Sequence, residues 1–450
     1  MITDLTKGNE TKVILLFAIP MIIGNLFQQL YNVVDTIIVG KFIGSNALAA
    51  VGSSYTLVIF LTSIILGLCM GSGVVFSFYF GAKEIEKLKA SFLLSFFFLL
   101  LFSIFINIIV LFFMDFILQL IQIPEDVYKD TKQYLMIICS GILFTFVYNY
   151  FSSVLRSMGN SIIPLIVLIF SAISNIILDI IFVVPLKMGI AGAAFATILS
   201  QAISAILITV YSFLKVKEIR ISKKVFSYCS WDIMKKIMNY SILTSIQQSI
   251  MNFGILMIQG LVNSFGVTVM AGFAAAVKID SFAYMPVQDF GNAFSTYIAQ
   301  NTGAGKQERV QKGIISTVKF ITLFCIFISV VVVCFSEQLL LIFIKAKEIQ
   351  VIAVGMQYLR TVAVFYCLIG YLFMFYGLYR GLGKAQMSIV LTVISLGTRV
   401  ILAYVLSPIP AIGLQGIWWA IPIGWFLADV IGLLYYKKMQ KKNKGKTFLQ

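Results

Sequence analysis

The chain contains no histidine among its 450 residues. That absence excludes Ser-His-Asp and Cys-His catalysis and imidazole metal ligands, and it leaves carboxylates as the side chains suited to carry a proton in an apolar environment. Charge is scarce as well: 12% of residues are charged against 60% hydrophobic, with a mean hydropathy of +0.99. A soluble globular domain carries about 25% charged residues, so this composition belongs in lipid. The six cysteines (Cys69, Cys139, Cys229, Cys325, Cys334 and Cys367) show no CxxC spacing, and all but Cys229 lie in apolar runs, so neither a disulfide frame nor a metal site is implied. There is no GxxxxGK[ST] phosphate loop, no HExxH and no soluble ATPase domain. No cofactor is expected, and energy for any transport would come from an ion gradient or a partner.

What the chain does have is long apolar runs. A helix needs roughly 20 apolar residues to cross the hydrocarbon core, and the runs place spans at 13–40, 54–80, 91–114, 133–154, 162–185, 190–214, 238–262, 268–299, 314–335, 354–378, 388–407 and 413–436. The expectation is an all-α integral membrane protein of twelve transmembrane helices. The polar stretch from Met1 to Lys12 runs into the first span without a small-residue cleavage motif, which reads as a retained span rather than a signal peptide.

The net charge of +16 sits in short clusters between apolar runs, which argues for loops that set topology and against nucleic acid as a partner. With an even number of spans, 24 Lys and Arg fall on the side of the termini and six on the other. The positive-inside rule then predicts both termini in the cytoplasm of a multi-pass protein of the inner (cytoplasmic) membrane. Arg156 and Arg380 are counted here as cytoplasmic loop residues.

The longest polar stretch, residues 215–237, divides the chain almost in half. A shift of 224 residues superposes Gln133-Tyr134-Leu135 on Gln357-Tyr358-Leu359, Arg156 and Gly159 on Arg380 and Gly383, and Gly189 and Gly192 on Gly413 and Gly416. An offset of 222 sets Gly81-Ala82 on Gly303-Ala304, and one of 219 sets Gln28-Gln29 on Gln247-Gln248. Two parallel six-helix repeats follow, related by a pseudo-two-fold axis along the membrane normal, with a central cavity expected at their interface. The predicted organisation is an N-lobe over 1–214, a cytoplasmic linker over 215–237, a C-lobe over 238–436 and a basic cytoplasmic tail over 437–450.

Charges within spans are costly and call for a reason. Asp35, Asp179, Lys278, Asp280, Asp289, Arg399 and, nearer a membrane face, Asp429 are such charges. In the first span Asn25, Gln28, Asn32 and Asp35 share one helical face, with Pro20 and Gly24 below them as a hinge. Ser171, Asn175 and Asp179 form a stripe on the fifth span, and Thr197, Ser200, Gln201 and Ser204 form another on the sixth. The Ser, Thr and Gln groups suit interhelical hydrogen bonds as well as a binding surface. The repeat is a control for the acids: Asp35 falls opposite Gly254 and Asp179 opposite Ala403, so the architecture alone does not demand them. In the second half Arg399 answers Asn175, and Lys278, Asp280, Gln288, Asp289 and Asn292 share the eighth span. They suit a cavity-lining helix or an interhelical ion-pair network equally well.

Taken together, several motifs resemble the multidrug and toxic compound extrusion (MATE) transporters, within the wider group of lipid and polysaccharide flippases. They are Pro20…Gln28-Gln29-Leu30-Tyr31-Asn32…Asp35…Gly40 to Gly52, the Leu155-Arg156-Ser157-Met158-Gly159 turn, the Asn175…Asp179 pair and Gln300-Asn301-Thr302-Gly303-Ala304-Gly305. Within the family the chain is similar to the bacterial DinF- and MepA-type group. The resemblance implies two six-helix lobes around a central cavity, and export of amphipathic, often cationic small molecules in antiport with H+ or Na+ by alternating access. It also implies a cation-coupling site, including a Na+ site, at Asp35, Asn175, Asp179 and Thr197. The substrate cavity is expected to draw on Gln28, Asn32, Lys278, Asp280, Gln288, Asp289, Asn292 and Arg399. The partners expected are small amphipathic substrates and membrane lipid, for a protein that works as a monomer and is no enzyme. The alternative is a flippase for a lipid-linked precursor, which needs a more basic cavity, for which Lys278 and Arg399 are candidates.

Overall fold

The computed structural model describes residues 4–120 and 123–447; residues 448–450 of the basic tail lie outside the described residues. Among the described residues the secondary structure is helical throughout, with no strand. This follows from lipid, where a backbone must satisfy its own hydrogen bonds segment by segment. The first half consists of α1 (Glu10–Phe42), α2 (Ser45–Gly81), α3 (Ile85–Phe112), α4 (Met114–Leu120), α5 (Glu125–Ser140), α6 (Ile142–Ser157), α7 (Ile162–Val183) and α8 (Gly189–Lys215). A 3-10 turn (Lys217–Ile219) and the short α9 (Val225–Tyr228) follow. The second half repeats the series as α10 (Trp231–Asn263), α11 (Val267–Gly303), α12 (Gln307–Cys334), α13 (Ser336–Leu341), α14 (Ile349–Ala363), α15 (Tyr366–Gly381), α16 (Ala385–Leu406) and α17 (Leu414–Thr447).

Ten of these helices are long and apolar enough to cross a membrane, and twelve spans result when each of two bent pairs is taken as one. The fourth and tenth spans are each broken: α5 and α6 meet at 45°, and α14 and α15 at 56°. The breaks fall at Gly141 and Phe365, positions related by the 224-residue shift. At Gly141 a Cβ would meet the Ile198 side chain at 2.6 Å, so only glycine lets α8 pack into the bend. Both breaks are bridged by shorter-range bonds, from Gly141 N to Ile138 O at 3.0 Å and from Phe365 N to Val362 O at 3.0 Å.

The chain divides into two compact units. The first comprises Met1–Gly8, Leu15–Ser245 and Ala299–Lys306. Its core runs from Leu61 and Phe76 through Phe92, Phe146 and Tyr150 to Ile208. The polar stretch after α8 belongs to this core as well: Val216, Ile219 and Val225 are buried in it, where the 3-10 turn and α9 pack on α3. Within this unit the ends of α2 and α11 cross so closely that a Cβ on Gly81 would overlap the Gln300 carbonyl, and one on Gly303 the Phe78 carbonyl. These are the two glycines that the 222-residue offset matches. Two residues on, Gly305 takes a left-handed φ of 69°, and its counterpart Lys83 takes φ 60° despite its Cβ.

The second unit comprises Asn9–Ile14, Ile246–Ile298 and Gln307–Gln450. Here Arg309 pairs with Glu10 at 3.2 Å and Thr11 shares a hydrogen bond with Ser316 at 2.6 Å. Phe273 stacks on Trp418 with ring centres 5.4 Å apart, and both lie against Tyr358.

Candidate functional site

The first unit brings the two predicted acids together. Helix α1 runs unbroken through Pro20, whose missing N–H leaves the Leu16 carbonyl without its intrahelical donor. At Gly24 it packs on Leu165 and Leu168 of α7. Three turns further on, the Asp35 carboxyl lies in electrostatic reach of that of Asp179 on α7. Asp179 is fully buried, and Asn175, one turn before it, nearly so. Asp35 Oδ1, both Asp179 oxygens and both polar atoms of the Asn175 amide have no hydrogen-bond partner. Among the described residues no Lys or Arg forms an ion pair with either acid.

Two carboxylates in such reach repel one another by about 4 kcal/mol at 4 Å in an effective dielectric of about 20. The pair is stable when one carboxyl holds a proton and donates it to the other, or when a cation sits between them. The orphaned atoms include only oxygens as acceptors, the chemistry of a hard cation's ligands. A Na+ ion therefore fits Asp35, Asp179 and the Asn175 carbonyl oxygen. Thr197 is placed differently. Its hydroxyl is half-buried and donates to Ala193 O of its own helix at 3.1 Å, with no bond to the acids, so it has acceptor lone pairs to offer but is not aligned by them.

Sequence reasoning left out two phenols here. Tyr31 and Tyr134 lie within electrostatic reach of both acids. Tyr31 stands one turn before Asp35 on the same helix, a spacing that could have flagged it. The neighbouring polar stripes resolve into interhelical staples: Ser171 donates to Ser200 O at 2.8 Å, and Thr145 to Gln201 Oε1 at 2.7 Å.

The residues assigned to a substrate cavity occupy several places. On α1, Gln28 is exposed and Asn32 half-buried. On α11, Lys278 is exposed with its ammonium 5.9 Å from the centre of the Phe343 ring, whereas Asp280 and Asp289 are buried. Asp280 accepts a hydrogen bond from Tyr358 at 3.0 Å. Tyr366 also lies against it, with the Arg399 guanidinium and Tyr284 in electrostatic reach. Gln288 and Asn292 instead line a polar recess of the second unit with Gln247, Gln248, Tyr376 and Arg380. Arg156 and Arg380 are corrections, since neither is a loop residue: Arg156 sits half-buried in the last turn of α6. Arg380 closes the last turn of α15 with 4% exposure, donating to Asn292 Oδ1 at 2.8 Å and Ser295 Oγ at 3.3 Å.

A sequence profile of the MatE family matches residues 20–181 and 241–405. Among curated proteins, the probable multidrug resistance protein YpnP of Bacillus subtilis (strain 168) is 32% identical over 437 residues, covering 96% of each chain. The multidrug export protein MepA of Staphylococcus saprophyticus is 22% identical, over 95% of this chain and 94% of its own. Among solved structures, a MOP superfamily transporter from Pyrococcus furiosus Vc1 superposes with a TM-score of 0.90 at 25% identity, over 97% of both chains; its binding pocket is described as reversed in polarity, suggesting a different function. The outward-facing conformation of a multidrug resistance MATE family transporter also gives a TM-score of 0.90, at 24% identity over 97% of both chains, and shows the shared fold of twelve helices in two bundles.

Proposed function

Because this chain belongs to the MatE family, whose members are membrane transporters and not enzymes, we propose that it exports amphipathic small molecules in antiport with H+ or Na+ by alternating access. The observation that carries the coupling half of this reading is the approach of Asp35 to Asp179, a half-buried and a fully buried carboxyl without a basic partner among the described residues. Such a pair demands positive charge from outside the protein, and a site that takes and releases a cation is what an ion gradient drives. Asn175 offers its amide oxygen beside the acids, and Thr197 a hydroxyl oxygen from α8. Binding of the ion shifts the protein between two states to the extent that it binds them unequally.

The names of curated relatives, multidrug resistance and export proteins, support drug-like substrates. The flippase of a lipid-linked precursor draws less support. Of the two charges that would favour a phosphorylated headgroup, Arg399 is in electrostatic reach of Asp280, and Lys278 is exposed over Phe343. The charge bias of the loops supports a cytoplasmic-membrane protein with both termini and the 215–237 stretch in the cytoplasm.

The test is efflux from vesicles with proton and sodium gradients imposed independently. Uphill export driven by one gradient and stopped by its collapse is expected. Export indifferent to both gradients would refute antiport.

A further inference from the structure

Arg380 lies in the second unit with 4% exposure, and its two hydrogen-bond partners, Asn292 and Ser295, are neutral. Among the described residues no Asp or Glu forms an ion pair with it. A guanidinium carries five N–H donors, and those two bonds use the Nε–H and one N–H of Nη2. The end formed by Nη1 and the rest of Nη2 is left, an edge that can take a carboxylate bidentately. Arg380 borders a recess whose other polar walls include four amides, Gln247 and Gln248 of α10 and Gln288 and Asn292 of α11. Amides supply donors without adding charge, and Met251 and Phe373 give the same recess an apolar side.

The repeat shows that the bundle does not demand this set. The 224-residue shift places Arg156 opposite Arg380, and the 222-residue offset places Leu66, Met70 and Gly73 opposite Gln288, Asn292 and Ser295. The first unit thus keeps the arginine, half-buried, without the polar residues that surround its counterpart.

We propose that Arg380 and the amides around it form a subsite for the carboxylate of an amphipathic substrate, whose adjoining apolar carbons meet Met251 and Phe373. This rests on the proposed export of amphipathic small molecules and adds to their class those that carry an acid group. The recess is narrow, with space for about one water molecule, so it fits a headgroup rather than the body of a substrate. One guanidinium among neutral amides balances one negative charge, which matches a carboxylate better than the nearly two charges of a phosphate monoester. A buried cation without a counter-charge is costly, and a carboxylate entering the recess offsets that cost.

The test is equilibrium dialysis of dansylglycine, an amphipathic aromatic acid, and of its neutral amide against purified full-length protein in detergent, with no gradient present. The acid is expected to bind roughly tenfold more tightly than the amide, the worth of a charge-assisted hydrogen bond. Arg380→Gln is expected to remove the preference and Arg380→Lys to keep part of it. Loose packing alone would lower both affinities without moving their ratio. Gln288→Leu/Asn292→Met, which installs the first unit's residues and keeps the arginine, is expected to reduce the preference. The proposal is overturned if the wild type binds acid and amide alike, or if the preference survives Arg380→Gln. It is equally overturned if inorganic phosphate displaces the acid more strongly than acetate does. Should Arg380→Gln not fold, a preference unmoved by Gln288→Leu/Asn292→Met overturns it. Failure of the export reading has a separate signature: the acid would bind with this preference, yet vesicles would move none of it under either gradient.

Discussion

The side-chain amide of Gln300, at the end of α11, donates to the Ser157 carbonyl at the end of α6 across 2.7 Å. Two motifs 143 residues apart in sequence, the Leu155–Gly159 turn and the Gln300–Gly305 stretch, thus meet in one buried bond within the first unit. Replacing Gln300 by Leu leaves a buried carbonyl unpaired, a loss of roughly 1–3 kcal/mol. The melting temperature of the detergent-purified variant should fall accordingly. An unchanged melting curve would show that the bond contributes nothing.

Gly303, three residues on, should tolerate no side chain. Valine there would overlap the Phe78 carbonyl, which is backbone and cannot turn aside. Gly303→Val should yield little monodisperse protein on size exclusion, whereas Gly260→Ala, where a Cβ meets nothing, should behave as wild type.

Asp35→Asn removes one charge of the acid pair and supplies an amide that can donate to Asp179. The variant should fold and bind substrate in detergent yet lose gradient-driven export while retaining counterflow. Wild-type coupled export by this variant would dismiss Asp35 as a coupling residue.

Outside the spans, Asp115 on α4 accepts from Lys132 at 2.5 Å and from the Tyr128 hydroxyl at 2.7 Å. The Lys132 ammonium first, and then the Tyr128 hydroxyl, hold its carboxyl below the usual carboxylate range. A depressed folded-state pKa stabilises above the unfolded value of about 3.9 and ceases to as pH falls through the folded value. The wild type should therefore be slightly more stable than Lys132→Met at pH 7. That gap should close below about pH 4, and also in 1 M salt, because the pair is exposed. Thermal melts across pH and salt measure it.

A single cysteine placed at Lys224 in a cysteine-free background should be modified by an impermeant reagent from the cytoplasmic face alone. Labelling in intact cells from outside would reverse the topology.

The spans were legible because lipid demands length and apolarity together, and runs such as 162–185 satisfy both without ambiguity. Asp35 and Asp179 were legible for the converse reason, as carboxyls on otherwise apolar helices whose repeat partners lack them. The bend at Phe365 was not legible, since no proline or glycine marks it. Nor was the pairing of Asp280 with Tyr358, 78 residues away, which depends on how α11 and α14 pack. Arg380 was misjudged because a basic residue at a span end usually reaches for water, whereas this one finds Asn292 and Ser295 within the bundle.

The two broken spans also bear on how the protein is made. An α-helix rises 1.5 Å per residue, so the 16 residues of α5 reach about 24 Å and the 15 of α14 about 22 Å. Neither reaches across a hydrocarbon core of about 30 Å. Each half-helix is thus too short to leave the translocation machinery as a span of its own. The pairs α5–α6 and α14–α15 must each enter the bilayer as a single insertion unit, with the elbow at Gly141 or Phe365 already within the lipid-facing length that is handed over.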